Sequence, residues 1–159
     1  MSYFVCNGVK IFYEEKGNPE SRETIGFLNG VMASTSSWAF MVPVFEQMGF
    51  RIILHDFMGQ LKSDKPDREY TFEEHCEQAR LLYEWLGVQK IHLIGTSYGG
   101  EIALRFALMY PDMVNTISVI DSLSELNPQA EYFVSSWKTL CDTGDGEVFF
   151  NGMTPSIYG

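Results

Sequence analysis

Gly95-Thr96-Ser97-Tyr98-Gly99 is the stretch of this sequence best suited to covalent chemistry. The apolar run Ile91–Ile94 precedes it, and the Ala/Leu-rich segment Glu101–Ala107 follows it after Gly100. That order predicts a buried strand turning straight into a helix. Gly-x-Ser-x-Gly at such a turn is the pattern that holds a nucleophilic serine out at the apex. The flanking Gly95 and Gly99 lack a Cβ, so helix and strand can approach closely around the turn. Ser97 is expected at the C-terminal end of the strand, near the positive end of the helix dipole. The Tyr98 N–H is expected to point towards the place where an oxyanion would form. A phosphate-binding loop does not fit, because Ser97 stands where the dinucleotide fingerprint needs glycine and no Gly-Lys-Ser/Thr ending follows. The plainer alternative is a tight turn carrying an unreactive serine.

The elements around this turn can be read in order. Tyr3–Val5 and Val9–Glu15 are short β-rich runs joined by Asn7-Gly8, a hairpin signal. Thr24–Leu28 reads as a strand buried on both faces. Ser36 or Ser37 is expected to cap a helix from Trp38 to Met48, with Phe40, Met41, Val44, Phe45 and Met48 at helical spacing. Arg51–His55 is another buried strand. Thr71 and Glu74 form a capping box for a helix with Cys76, Ala79, Leu82, Tyr83 and Leu86 on one side, ending at Gly87. After the Ser97 helix, Val114–Ile120 is the last clear strand. Residues 122–159 read as a short helix near Tyr132–Leu140 and a loop rich in Gly and Asp.

Strands alternating with amphipathic helices predict an α/β domain, a mainly parallel sheet with helices on both faces, opened by an antiparallel hairpin. Ligands of such sheets bind beyond the C-terminal strand ends. Asn29, Asp56, Ser97 and Asp121 all fall at those ends. That convergence predicts one site.

Composition narrows the partners. The 159 residues suffice for one domain with a real core. A net charge of -10, with no block of lysine and arginine, argues against nucleic acid or an anionic membrane surface. Three scattered cysteines, Cys6, Cys76 and Cys141, fit reduced thiols used in packing, and none has zinc-site spacing. No signal peptide and no apolar run near the ~20 residues of a membrane span is visible, so a soluble, cytoplasmic protein is expected.

Four features, in order, resemble the α/β-hydrolase superfamily. Leu28-Asn29-Gly30-Val31 with Ser37-Trp38 resembles the His-Gly-x stretch after the third strand. Asp56-x-x-Gly59-x-x-x-Ser63-Asp64-Lys65-Pro66 resembles the Asp-x-x-Gly-x-Gly-x-Ser loop. Gly95-x-Ser97-x-Gly99-Gly100 resembles the nucleophile elbow. Tyr110-Pro111 with Val114 resembles the close of the elbow helix. Together they span roughly residues 3–121. Asn29 stands where the family usually has histidine, and Leu61 where it usually has glycine. The resemblance implies Ser97 as nucleophile and the Val31 and Tyr98 amides as an oxyanion hole. Asn29, Gly30, Asp56, Gly95 and Gly99 would support it, and no metal or organic cofactor is implied. Asp121 occupies the place of the triad acid in some members, or else caps the turn into Ser122. Asp56 is expected to hold its own Gly59 loop.

The family's histidine base follows a later strand than any read here. His92 precedes Ser97 by five residues along a strand, about 16 Å at ~3.3 Å per residue. His75 is expected at the surface or in packing. His55, expected at the end of a neighbouring strand, is poorly placed to serve. Residues 1–121 are therefore expected to be the N-terminal part of a hydrolase core, cut after about six strands, and 122–159 the start of a cap. The implied activity is hydrolysis of a small ester, lactone or related acyl compound, with the base outside this chain and the chain alone inactive. The competing reading is a non-catalytic binding module or inactive fragment. Self-association, or pairing with a complementing C-terminal fragment, is expected at the apolar edge left by Val114–Ile120.

Overall fold

The computed structural model describes residues 2–158. They divide into two compact units, one ending at Leu123 and the other beginning at Ser124.

In the first unit, β1 (Ser2–Cys6) and β2 (Val9–Gly17) form the antiparallel hairpin, turning at Asn7-Gly8 with positive φ at both residues. β3 (Thr24–Leu28), β4 (Arg51–His55), β5 (Ile91–Thr96) and β6 (Val114–Ile120) complete a six-stranded sheet. Its order is β1-β2-β4-β3-β5-β6. β2 pairs antiparallel with β4, and the last four strands run parallel. The α/β class, mainly parallel with an opening hairpin, is therefore as the sequence predicts.

Alternating side chains split the core in two. On one face Ile53, Leu93 and Ile91 pack under α2 (Phe72–Trp85) and α3 (Tyr98–Met109), which contribute Cys76, Ala79, Leu82, Tyr83, Ile102, Ala103 and Phe106. On the other, Ile25, Phe27, Ile52, Leu54 and Ile94 pack against Trp38 and Val42. Helices thus cover both faces. The Thr71–Glu74 capping box starts α2 as read from the sequence.

The expected helix from Trp38 is wrong in detail. Ser34 caps a 3₁₀ turn, Thr35–Trp38, and a separate short helix α1 (Val42–Gln47) starts beside Pro43. This break turns Trp38, Val42 and Phe45 inwards and leaves Phe40, Met41, Val44 and Met48 exposed. β6 is an edge strand, with Asn115–Ile120 exposed and a bulge at its start.

The second unit holds α4 (Pro128–Cys141) and α5 (Gly146–Tyr158), where the sequence suggested one short helix and a loop. The Gly/Asp-rich stretch is helix punctuation: Gly144 takes a φ of 68° just after α4, and the Asp145 carboxylate accepts from the Glu147 and Val148 N–H groups at the start of α5. Cys141 is exposed there, so its expected packing role does not hold, whereas Cys6 and Cys76 are buried.

Candidate active site

The elbow forms as its residue types dictate. Ser97 ends β5 with φ 50° and ψ -123°, a conformation an L-residue adopts only under strain, and it is exposed. Three contacts hold it there. Its N–H donates to the Ile120 carbonyl at 2.9 Å, its carbonyl accepts from the Ser122 hydroxyl at 2.7 Å, and the same carbonyl accepts from Gly100 N–H at 2.8 Å. Ser122 drew no attention in the sequence beyond its place after Asp121, because only the parallel pairing of β5 with β6 brings it under the turn.

Gly95 and Gly99 are required by contact. A Cβ on Gly95 would overlap the Gly99 carbonyl. One on Gly99 would overlap the Leu28 carbonyl and come within 2.7 Å of the Asn29 oxygen. The start of α3 therefore rests directly on the loop after β3. Gly30, in that loop, lies beside the elbow: a Cβ there would be 3.5 Å from Ser97 Cβ. The structure thus brings Asn29-Gly30-Val31 and Ser97-Tyr98 together. The N–H groups of Val31 and Tyr98 have no acceptor among the described residues, and the latter opens a helix, where such donors are ordinarily free.

The loop is anchored from below. Asn29 is fully buried; its amide donates to the His55 carbonyl at 2.9 Å and to Gln60 Oε1 at 3.0 Å, and its oxygen accepts from Trp38 Nε1 at 2.8 Å. Trp38 in turn stacks on Phe27, so it belongs to the core, whereas Met32 is exposed. Asp56 is also fully buried. Its Oδ1 accepts from Thr35 N–H at 2.7 Å and its Oδ2 from Lys62 N–H at 3.1 Å, joining two loops. It therefore holds more than its own Gly59 loop. Asp56→Asn turns an amide NH₂ against one of these N–H donors and is expected to cost about 3 kcal/mol, a Tm drop of roughly 8 °C by calorimetry. An unchanged Tm would show that neither bond matters.

Asp121 sits at the end of β6, next to the Ile120 carbonyl that receives Ser97 N–H, with φ 48° and an exposed side chain. The histidines go elsewhere. His92 bonds Glu23 at 2.6 Å and Thr116 at 2.9 Å, at the opposite end of β5. His75 is buried, not at the surface, stacked on Phe57 with Nδ1 3.5 Å from the Tyr98 hydroxyl. His55 is not on a strand neighbouring β5, because β3 lies between; its ring is enclosed by Phe57 and Tyr83 with neither nitrogen bonded. Burial pushes His55 down to about 3, helped by His75, and pushes His75 down to about 4. Both are neutral packing residues at pH 7. Burial also pushes the Tyr98 phenol up to about 12.

The model of the alpha/beta hydrolase fold matches residues 24–154. The chain belongs to this family. Among hydrolase-fold relatives it is 34% identical over 115 residues to a 2-hydroxy-6-oxononadienedioate/2-hydroxy-6-oxononatrienedioate hydrolase of Paraburkholderia phymatum, covering 69% of this chain and 38% of that protein. It is 28% identical over 117 residues to bifunctional epoxide hydrolase 2 of Sus scrofa, covering 72% and 20%. The crystal structure of MGS-M2, an alpha/beta hydrolase enzyme from a Medee basin deep-sea metagenome library, superposes with a TM-score of 0.90 at 30% identity, covering 98% of this chain and 57% of that one. The chain thus spans from about a fifth to about half of the length of the relatives it matches. Among the described residues no helix is long and apolar enough to cross a membrane.

Gln60 is the site residue that sequence reasoning missed. It lies inside the Asp56–Ser63 loop without periodicity or pairing to mark it. Only the fold sets its side chain against Asn29 and Gly30.

Proposed function

We propose that the complete protein is a serine hydrolase of a small ester, lactone or related acyl compound. Ser97 attacks the carbonyl, and the Val31 and Tyr98 N–H groups stabilise the tetrahedral oxyanion. A histidine from outside residues 1–159 takes the serine proton, oriented by Asp121 or by an acid also outside them. The observation that carries this reading is the strained, exposed Ser97 next to a loop amide and a helix-opening amide, both without an acceptor among the described residues. The strained backbone costs stability, and strain of this kind collects at functional sites, which favours chemistry over a plain structural turn. The relatives' names range over epoxide, carbamate and dienedioate hydrolases, so the acyl class rests on the serine. Residues 122–159 are read as the beginning of a cap. A small molecule, and neither nucleic acid nor membrane, is the partner, and the cytoplasm is the proposed compartment.

Fluorophosphonate labelling read by intact mass, with Ser97→Ala beside the wild type, tests the reading. One adduct on the wild type and none on the variant is expected once a base is present, either in the longer protein or on adding a fragment that completes the sheet. No adduct under those conditions would favour a non-catalytic binding module. The exposed β6 edge is the proposed place for such a fragment or a second copy, and a monodisperse monomer by light scattering would count against self-association.

A further inference from the structure

We propose that Gln60 is a positioning residue that sets and polarises the oxyanion-binding peptide Gly30–Val31. This role rests on the reading above that Val31 N–H receives the oxyanion. Gln60 Nε2 donates to the Gly30 carbonyl at 2.9 Å. Its Oε1 accepts from Phe57 N–H at 3.0 Å and from Asn29 Nδ2 at 3.0 Å. Two donors on one side and a carbonyl on the other fix which end of the side-chain amide is oxygen.

The consequence for Val31 follows from peptide geometry. Gly30 C=O and Val31 N–H belong to one planar trans unit and point in opposite directions. Pinning the carbonyl towards Gln60 therefore turns the N–H away from it, to the open side of the loop. The Gly30 oxygen also accepts from Ala33 N–H at 3.2 Å. A carbonyl accepting two hydrogen bonds draws electron density from its own N–H, which becomes a better donor. The hydrogen bonds run unbroken from the core: Trp38 to Asn29, Asn29 to Gln60, Gln60 to Gly30. Neither neighbour could replace this side chain. Leu61 and the glycine at 59 carry no donor, and Asn29 is already engaged at both ends.

Gln60→Glu keeps both acceptor contacts and turns the donor contact into a repulsive one, a carboxylate oxygen facing the Gly30 carbonyl. Gln60→Met removes all three and stands in should the glutamate variant not fold. Two measurements decide the matter: the orientation of the Val31 N–H vector from residual dipolar couplings on the 159-residue chain, and the binding of phenylboronic acid once a base is supplied by the longer protein or a completing fragment, with Ser97→Ala as control. The expected result is a wild-type vector that reorients by tens of degrees in the variants, with boronate binding weakened about tenfold. An unchanged vector in folded variants would overturn the role of Gln60, whatever the boronate does. Should the vector move while the wild type, with the base supplied, fails to bind boronate, Gln60 still positions the peptide, and it is the nucleophilic reading of Ser97 that falls.

Discussion

Gly99→Ala is expected to destabilise the first unit by about 4 kcal/mol, lowering the urea midpoint by roughly 2 M. The added methyl would overlap the Leu28 carbonyl and press on that of Asn29, both backbone groups of the central strand and its loop. Backbone cannot swing aside as a side chain does. To make room, α3 must lift off β3, which pulls apart Ile102, Ala103 and Phe106 from the sheet and moves the elbow from Gly30. Gly146→Ala is the control, since nothing lies within 4 Å of its added carbon. Urea unfolding followed by tryptophan fluorescence measures both. A midpoint for Gly99→Ala within a few tenths molar of the wild type would mean that helix and loop are far less tightly apposed than described.

Acidification should act on the same unit through its two buried imidazoles. Each is held neutral, His55 down to about 3 by burial and His75's charge, His75 down to about 4 by burial and Arg68 against the opposing pull of Glu74. The sign follows from which state binds the proton. Well above pH 6.5 neither the folded nor the unfolded chain protonates these rings, so they make no difference. As pH falls below 6.5 the unfolded chain gains protons that the folded chain refuses, and stability is lost until the folded values are reached. Between pH 6.5 and 4.5 the two together remove about 5 kcal/mol, at 1.36 kcal/mol per unit for each ring. That is comparable with the whole stability of an ordinary domain. Carboxylates remain ionised through most of this window, so the slope belongs to the histidines. His55→Phe, which keeps an aromatic ring edge-on to Phe57 and Tyr83, should roughly halve the slope of stability against pH. A flat profile from pH 6.5 to 4.5 in the wild type would show that neither ring is kept from protonating.

How much of this was legible beforehand depended on the range of the interactions involved. Hairpin, capping box, strands and elbow were readable because each is a local device. Asn7-Gly8 turns by its own backbone preference, Thr71 and Glu74 cap across three residues, and Gly95-x-Ser97-x-Gly99 carries its strain within five. The helix expected from Trp38 failed because Pro43 and the Ser34 cap split the segment, and an apolar spacing cannot tell one helix from two turns. The Gly/Asp-rich stretch before α5 misled for a related reason, since the same residues end one helix and start another.

The sequence by itself determined the fold class, the place of the serine and the set of polar residues at the strand ends, because period and turn chemistry act over a few residues. Only the tertiary structure decided strand order, and with it that β3 separates His55 from the elbow strand. Only it decided that His75 is buried, that Asp56 joins two loops, and that Gln60 and Ser122 donate to the Gly30 and Ser97 carbonyls. Apart from the Asp56–Lys62 bond, six residues apart, those hydrogen bonds link residues 21 to 30 positions apart, and a bond at that separation leaves no period in the chain to read.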